Sequence, residues 1–279
     1  MNLKLNNSEK WNDWFAGVTD GDGCFYINKK EKSISFEITT HTMDIRILHD
    51  IKNKLKAGTI KLRSNSQSVR YRVKQTLVIK DILNRLNGKL YNKARLQQFA
   101  EACHLIGVEQ NQSSSLLDKK SAYLAGLIDS DGTICISVSR SNKNDSIGSG
   151  NEGKILRLKN SRGYNQMSLK VTSIDKENIQ LLKESYGFGT IYQQKASLKN
   201  KSPKIKYNWT IRSPEEFSYL YELLKIYPLK GVKMCRIRLA SKYFHYKNLK
   251  YHLANLASEA SPEFQIWGKF CKLWYKYGI

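Results

Sequence analysis

One phrase occurs twice in the chain and dictates its architecture: Phe15-Ala-Gly-Val-Thr-Asp-Gly-Asp-Gly23 and Leu124-Ala-Gly-Leu-Ile-Asp-Ser-Asp-Gly132, offset by 109 residues from Gly17 to Gly126. In both copies a small, apolar helical stretch runs directly into an Asp-x-Asp-Gly stop. The repeat continues downstream. Asp44 is followed fourteen residues later by Gly58-Thr59-Ile60, and Asp175 fourteen later by Gly189-Thr190-Ile191; Gly88 precedes Lys93 by five residues, as Pro228 precedes Lys233. A period of this kind means one architecture used twice, with a first half over 1–108, a linker over 109–118 and a second half over 119–279. The second half is longer by 31 residues, which fall in the polar segments Ser139 to Gln166 and Gln193 to Pro203. Such segments are expected as surface loops.

Within each half the apolar periodicity changes in step with the motif. Ser8 can cap a helix whose apolar residues Trp11, Trp14, Phe15 and Val18 recur at three- and four-residue spacing, and Asp118 is placed to open the matching helix through Tyr123, Leu124 and Leu127. Each helix is expected to stop at Gly23 or Gly132, where alternation begins: Phe25 and Ile27 against Tyr26 and Asn28, then Ile134, Ile136 and Val138 against Cys135, Ser137 and Ser139. Further strands follow the same rule, with Ile34, Phe36, Ile38, Ile60, Leu62, Val69, Tyr71 and Val73 inward in the first half, and Leu169, Val171, Ile205, Tyr207, Trp209 and Ile211 inward in the second. Between strands lie helical patterns at Ile45, Leu48, Ile51 and Leu55, and at Ile179, Leu181 and Leu182. The fold class is therefore α+β: two antiparallel sheets, each with helices behind it and a cationic, hydrogen-bonding face in front.

Charge limits the partner. Lys and Arg number 47 against 24 acids, a formal net charge of +23, which points to a polyanion. No apolar run approaches the roughly twenty residues of a membrane span. The five cysteines are odd in number and lack any C-x-x-C pair, so they indicate neither a disulfide framework nor a zinc site, but small apolar residues in a reducing compartment. The five histidines lack the H-E-x-x-H spacing, so any metal must be held by oxygen. No signal-peptide core opens the sequence and no Arg precedes Arg46. Abundant Lys, Asn and Ile fit an AT-rich organelle genome, a mitochondrion ahead of a chloroplast.

The front faces match a DNA major groove, where Arg and Lys read guanine and Asn or Gln reads adenine. A strand of about nine residues spans roughly 30 Å, so two sheets cover on the order of eighteen to twenty base pairs at ~3.4 Å each. Candidate contacts are Tyr26, Asn28, Lys30, Glu37, Thr39, Lys61, Arg63, Arg70, Arg72 and Lys74 in one half, and Ser137, Ser139, Lys170, Thr172, Gln194, Lys204, Lys206 and Asn208 in the other. Because the halves differ at nearly every such position, the target is expected to be asymmetric. An EF-hand reading of Asp-Gly-Asp-Gly fails, since the sixth loop position holds Phe25 or Ile134 rather than Gly.

The doubled phrase, Leu-Ala-Gly-Leu-Ile-Asp-Ser-Asp-Gly in its second copy, resembles the LAGLIDADG homing endonucleases in their single-chain, two-motif form, from Trp14 to about Leu239. The first copy departs at Val18-Thr19. The resemblance implies two αββαββα halves about a pseudo-twofold axis, each a saddle-shaped sheet, joined by packed motif helices at Ala16, Gly17, Ala125 and Gly126. It implies a monomeric endonuclease cutting double-stranded DNA, with Asp22 and Asp131 as divalent-metal ligands. It implies a structural place at the helix ends for Asp20 and Asp129, with no catalytic part. Lys93 and Lys233 match basic residues near the family's site, the first following Gly88 where the family pattern has Pro. The chemistry agrees: hydrolysing a phosphodiester needs an activated water and a stabilised leaving oxygen, which Mg²⁺ supplies, with Ca²⁺ or Mn²⁺ as substitutes and the carbonyls of Gly21 and Ser130 completing the ligand set. The alternative is RNA binding as an intron maturase acting on the host intron. A DNA-binding regulator on the same scaffold should lack a metal acid and carry a further reading module.

Overall fold

The computed structural model describes residues 7–31, 33–139, 150–194, 205–256 and 261–276. The first half runs α1 (Asn7–Asp22), β1 (Gly23–Asn28), β2 (Ser33–His41), α2 (Ile45–Leu55), β3 (Thr59–Leu62), β4 (Ser68–Val73), α3 (Thr76–Leu86) and α4 (Lys93–Ile106). The second runs α5 (Tyr123–Asp131), β5 (Gly132–Val138), α6 (Gly150–Lys159), β6 (Asn165–Ser173), α7 (Lys176–Tyr186), β7 (Thr190–Gln194), β8 (Lys206–Ile211), α8 (Pro214–Ile226), α9 (Lys233–Asn248) and α10 (Pro262–Tyr275). Both motif helices end on the second acid, and a strand begins at the following glycine.

Strand order is the same in both sheets, β1-β2-β4-β3 and β5-β6-β8-β7. Both sheets are antiparallel and flanked by helices. In the first, Phe36 pairs with Val73 and Ile38 with Tyr71, all four buried, while Glu37 pairs with Arg72 and Thr39 with Arg70 on the other side. A slip of one residue would turn every apolar side chain outward. Behind this sheet α2 buries Ile47, Leu48, Ile51 and Leu55, and α3 buries Ile79, Ile82, Leu83 and Leu86. Rings tie the layers together: Trp11 stacks on Phe15 at 4.8 Å, Phe15 meets Phe36 edge-on at 5.7 Å, and Phe25 meets Phe36 at 4.9 Å and Phe99 at 6.2 Å. Burying each such ring contributes about 1.5–3 kcal/mol.

The Gly-Thr-Ile recurrence has a packing origin. Gly58 adopts φ +87°, and a Cβ there would lie 2.5 Å from the Tyr71 ring; Gly189 adopts φ +79°, and its Cβ would lie 2.3 Å from the Trp209 indole nitrogen. Each ring also donates to the residue before its glycine, Tyr71 Oη to the Ala57 carbonyl at 3.1 Å and Trp209 Nε1 to the Phe188 carbonyl at 2.8 Å. Both the left-handed backbone and the close ring exclude a side chain.

The described residues fall into two compact units, one from 1–132, 171–209 and 226–231, the other from 133–170, 210–225 and 232–279. The core of the second is aromatic: Trp267 stacks on Phe270 at 5.1 Å, Tyr243 approaches both rings, and Trp274 is buried beneath the Arg236 guanidinium at 5.0 Å. Arg236 Nη1 donates to the Ile134 carbonyl at 2.8 Å, and burial lowers its pKa.

Several expectations are corrected. The Ser139 to Gln166 segment is not all surface loop, since it contains α6, whose Leu158 is buried and whose Lys159 carbonyl accepts from Trp267 Nε1 at 3.3 Å. Asp118 does not open the motif helix; it caps a turn by accepting from the Lys120 amide at 2.8 Å, and α5 starts at Tyr123, whose amide donates to Ser121 Oγ. The first motif helix is already under way at Asn7, one residue before Ser8. Leu62 and Ile205 are 73% and 46% exposed rather than inward, because β3 lies at the sheet edge and Ile205 precedes β8. Ser35, Ser168, Asn208 and Thr210 are buried on faces read as open. Cys103 and Cys271 are buried, while Cys24, Cys135 and Cys235 are only partly so; all five are free. Among the described residues no helix is long and apolar enough to cross a membrane.

Candidate functional site

Helices α1 and α5 pack without side chains at their crossing. A Cβ on Gly17 would lie 2.1 Å from the Tyr123 carbonyl oxygen, and one on Gly126 would lie 1.9 Å from that of Trp14. Ala16 and Ala125 beside them are buried. The contact persists to the helix ends, where a Cβ on Gly21 would lie 2.1 Å from Ser130 Oγ and 3.2 Å from the Asp131 carboxyl carbon. The structure thus gathers Gly21, Ser130 and Asp131, with Asp22 the next residue of α1. The Ser130 hydroxyl donates back toward the Gly126 and Leu127 carbonyls, 3.1 Å from each.

Two carboxylates thus end two touching helices at their negative C-terminal poles, where the helix dipole disfavours anions. A divalent cation bound there would relieve that conflict, and hard oxygen donors suit Mg²⁺ or Ca²⁺. Among the described residues no three or more His, Cys, Asp or Glu cluster so that they could hold a metal ion, so a metal bound here would draw its remaining ligands from carbonyls, water and phosphate.

The inner acids are placed differently. Asp20 Oδ2 accepts from the Tyr91 amide at 2.7 Å, the Asn92 amide at 3.2 Å and the Tyr123 hydroxyl at 2.6 Å. Burial outweighs these hydrogen bonds and raises the Asp20 pKa to about 6. The Tyr123 hydroxyl is itself pushed up by burial and by the adjacent Asp20 carboxylate. In the second half Asp129 Oδ2 accepts from Trp14 Nε1 at 2.9 Å and the Lys230 amide at 2.8 Å, and Oδ1 from the Gly231 amide at 3.0 Å. Sequence reasoning missed Trp14 and Tyr123 as partners of these acids, although the two sit at the same offset of 109 as the motifs.

Lys93 is the first residue of α4, after Asn92, whose side chain caps the helix through the Ala94 amide at 3.0 Å. Its ammonium pairs with Glu177 of α7, which raises its pKa. Lys233 is buried at the first position of α9.

On the polar face of the first sheet, Glu37 sits between two arginines, 3.1 Å from Arg70 Nη1 and 2.8 Å from Arg72 Nε. Arg72 Nη2 also donates to Ser35 Oγ at 3.3 Å, which buries that serine. Lys61 pairs across from Arg70 and Thr59 from Arg72; Thr59, Lys61, Arg63, Arg70 and Arg72 line one open cleft. Thr39 faces Arg70, Lys74 follows β4, and Tyr26 is exposed. Asn28 is occupied locally, its Oδ1 accepting from the amides of exposed Lys30 and of Glu31. In the second half Thr172 Oγ1 donates to Asn208 Oδ1 at 2.6 Å, and Ser137 Oγ donates to the Gln166 carbonyl at 3.2 Å. Ser139, Gln194 and Lys206 are exposed and Lys170 is half-buried, while Lys204 lies outside the described residues.

The LAGLIDADG endonuclease family matches residues 15–104 and 124–250. The probable intron-encoded endonuclease aI2 of Debaryomyces hansenii is 30% identical over 278 residues, covering 99% of this chain and 39% of that protein. The intron-encoded RNA maturase bI4 of Saccharomyces cerevisiae is 31% identical over 265 residues, covering 95% of this chain and 36% of that protein. The chain therefore spans less than two-fifths of the length of these two relatives. Among solved structures, the LAGLIDADG meganuclease I-AabMI bound to uncleaved DNA superposes with a TM-score of 0.65 at 18% identity, over 92% of this chain and 98% of that one.

Proposed function

The chain belongs to the LAGLIDADG endonuclease family, and from that footing we propose that it is a monomeric, divalent-metal-dependent endonuclease cutting both strands of a long, asymmetric DNA site. The supporting observation is the pair of acids, Asp22 and Asp131, ending two helices that touch through Gly17 and Gly126. Asp22 and Asp131, with the peptide carbonyls of Gly21 and Ser130, would hold Mg²⁺, which would supply an activated water and stabilisation of the leaving oxygen. Lys93 and Lys233 direct positive charge at the reacting phosphate, a role suited to a compact ammonium. The two sheet faces grip the groove: phosphate contacts from Lys set position, and Arg70 and Arg72 read bases. As similarity to intron-encoded proteins suggests, the site of action is an organelle, a mitochondrion first.

Incubation with Mg²⁺ and a library of randomised duplexes, followed by sequencing of cut ends, tests this reading. Asp22→Asn and Asp131→Asn should each abolish double-strand cutting while leaving affinity nearly intact. Cutting retained by either variant removes the assignment.

A second reading rests on the yeast RNA maturase, 31% identical over 95% of this chain: binding of the host intron RNA, which a net charge of +23 would also serve. Affinity for the parent intron transcript, compared with an unrelated transcript of equal length, separates the two.

A further inference from the structure

Asp20 and Asp129 exchange partners between the motif helices. Asp20 belongs to α1, but the hydroxyl oriented on it comes from Tyr123 of α5; Asp129 belongs to α5, but its indole donor is Trp14 of α1. Each acid then grips two successive backbone amides of a turn, Tyr91-Asn92 in one half and Lys230-Gly231 in the other. Each turn in turn contacts the aromatic donor. The Tyr91 ring meets Tyr123 edge-on at 5.1 Å, and the Lys230 ammonium lies 3.7 Å from the centre of a Trp14 ring.

These turns lead directly to the two basic residues. Asn92, held at its amide by the Asp20 carboxylate and at its side-chain amide by the Asp20 carbonyl at 3.2 Å, caps α4 and immediately precedes Lys93. Gly231 is two residues ahead of Lys233, and a Cβ there would lie 2.5 Å from Asp44 Oδ1 and 2.9 Å from Asp129 Oδ1, so the turn seats against its acid only as glycine. A carboxylate buried near a helix C-terminus is unfavourable twice over, by desolvation and by the dipole. At Asp129 both carboxylate oxygens accept N–H donors, which an amide side chain with one acceptor oxygen could not do.

We propose that Asp20 and Asp129 are positioning residues, each setting the turn that carries its own half's lysine and each oriented by the other half's aromatic, so that Tyr123 controls the Lys93 centre and Trp14 the Lys233 centre. The proposal rests on the endonuclease reading for the role of the lysines. Its core, the crossed dependence of each turn on the opposite helix, stands on the hydrogen bonds alone.

Two measurements test it. In single-turnover cleavage with each DNA strand labelled separately, Lys93→Met and Lys233→Met define which strand each half cuts. Tyr123→Phe and Asp20→Asn should then slow the Lys93 strand by about tenfold, the scale of one hydrogen bond to a charged group, and Trp14→Phe and Asp129→Asn the Lys233 strand. Equal slowing of both strands, or Tyr123→Phe slowing the Lys233 strand, overturns the proposal, because a general loss of stability shows no strand preference. Hydrogen exchange on the free protein needs no cleavage. Tyr123→Phe should speed exchange at the Tyr91 and Asn92 amides by about tenfold and spare Lys230 and Gly231, with Trp14→Phe doing the reverse; unchanged or uncrossed exchange overturns it. Wild-type protein that cuts neither strand while exchange shows the crossed pattern removes the endonuclease reading and keeps the crossed control.

Discussion

Arg72 Nε lies 2.8 Å from Glu37 Oε1, directly across the β2–β4 register, and Arg70 shares the same carboxylate. On the face proposed to meet DNA an acid would cost attraction, but it holds two flexible guanidinium groups in fixed directions, and fixed donors suit bidentate reading of guanine.

Glu37→Gln is therefore expected to raise non-specific affinity at low salt and to blunt discrimination at the base pairs below Arg70 and Arg72. Arg72→Ala should cost about 1–3 kcal/mol and relax specificity at one or two base pairs, whereas a phosphate-only contact loses affinity evenly and lowers the salt slope by about one. Binding across single-base variants of the site at two salt concentrations reads all of these. If Glu37→Gln leaves the specificity profile unchanged, the carboxylate does not organise the arginines.

Gly126→Ala should destabilise the fold by about 3 kcal/mol, since its methyl would meet the Trp14 carbonyl oxygen at 1.9 Å and the helices must separate. Gly107→Ala, where φ is +73° but no atom lies within 4 Å of the added carbon, isolates the backbone cost, about 1 kcal/mol. Urea unfolding of both variants is the comparison. Similar losses would mean that the helix crossing tolerates a side chain.

Calcium in place of magnesium should support tight binding with little cutting, because the larger ion accepts looser coordination than in-line hydrolysis demands. Chelation of all divalent ions should abolish cutting while the sheets still bind. Fast cleavage in calcium alone would falsify this metal assignment.

Trp267→Ala should cost about 3–5 kcal/mol, because its buried ring stacks on Phe270 and its indole donates to the Lys159 carbonyl of α6. Loss of less than about 1 kcal/mol in thermal or chemical unfolding would show that α6 and α10 contribute little to the second half.

How much of this was legible in the sequence varied with the range of the interaction. The motif helices, the glycine stops and the inward alternation of Phe36, Ile38, Val69, Tyr71 and Val73 follow from local periodicity, which burial of one face imposes directly. Helix α6 was hidden because its ten residues, Gly150–Lys159, are mostly polar and bury little beyond Gly153 and Leu158; its partner α10 lies more than a hundred residues away. Asp118 misled because an acid that caps a turn and one that caps a helix look alike until the following amide is placed. At Leu62 alternation was correct but burial was not, since an edge strand has no neighbour to cover its last residue. The repeat of the inner acids Asp20 and Asp129 could be read from spacing, whereas their aromatic partners could not, because Trp14 and Tyr123 sit where any core residue would serve the pattern equally well.

The bare glycine crossing of α1 and α5 has one more consequence. The closest approach of this joint is main chain, and its side-chain complementarity is confined to the Trp14–Asp129 and Tyr123–Asp20 pairs, so the sheet faces can diverge independently on either side of it. Two unlike halves, from this chain or from a relative, should assemble wherever both glycines and the reciprocal aromatic partners are kept, which makes the crossing a standard coupling and leaves each half to carry its own address.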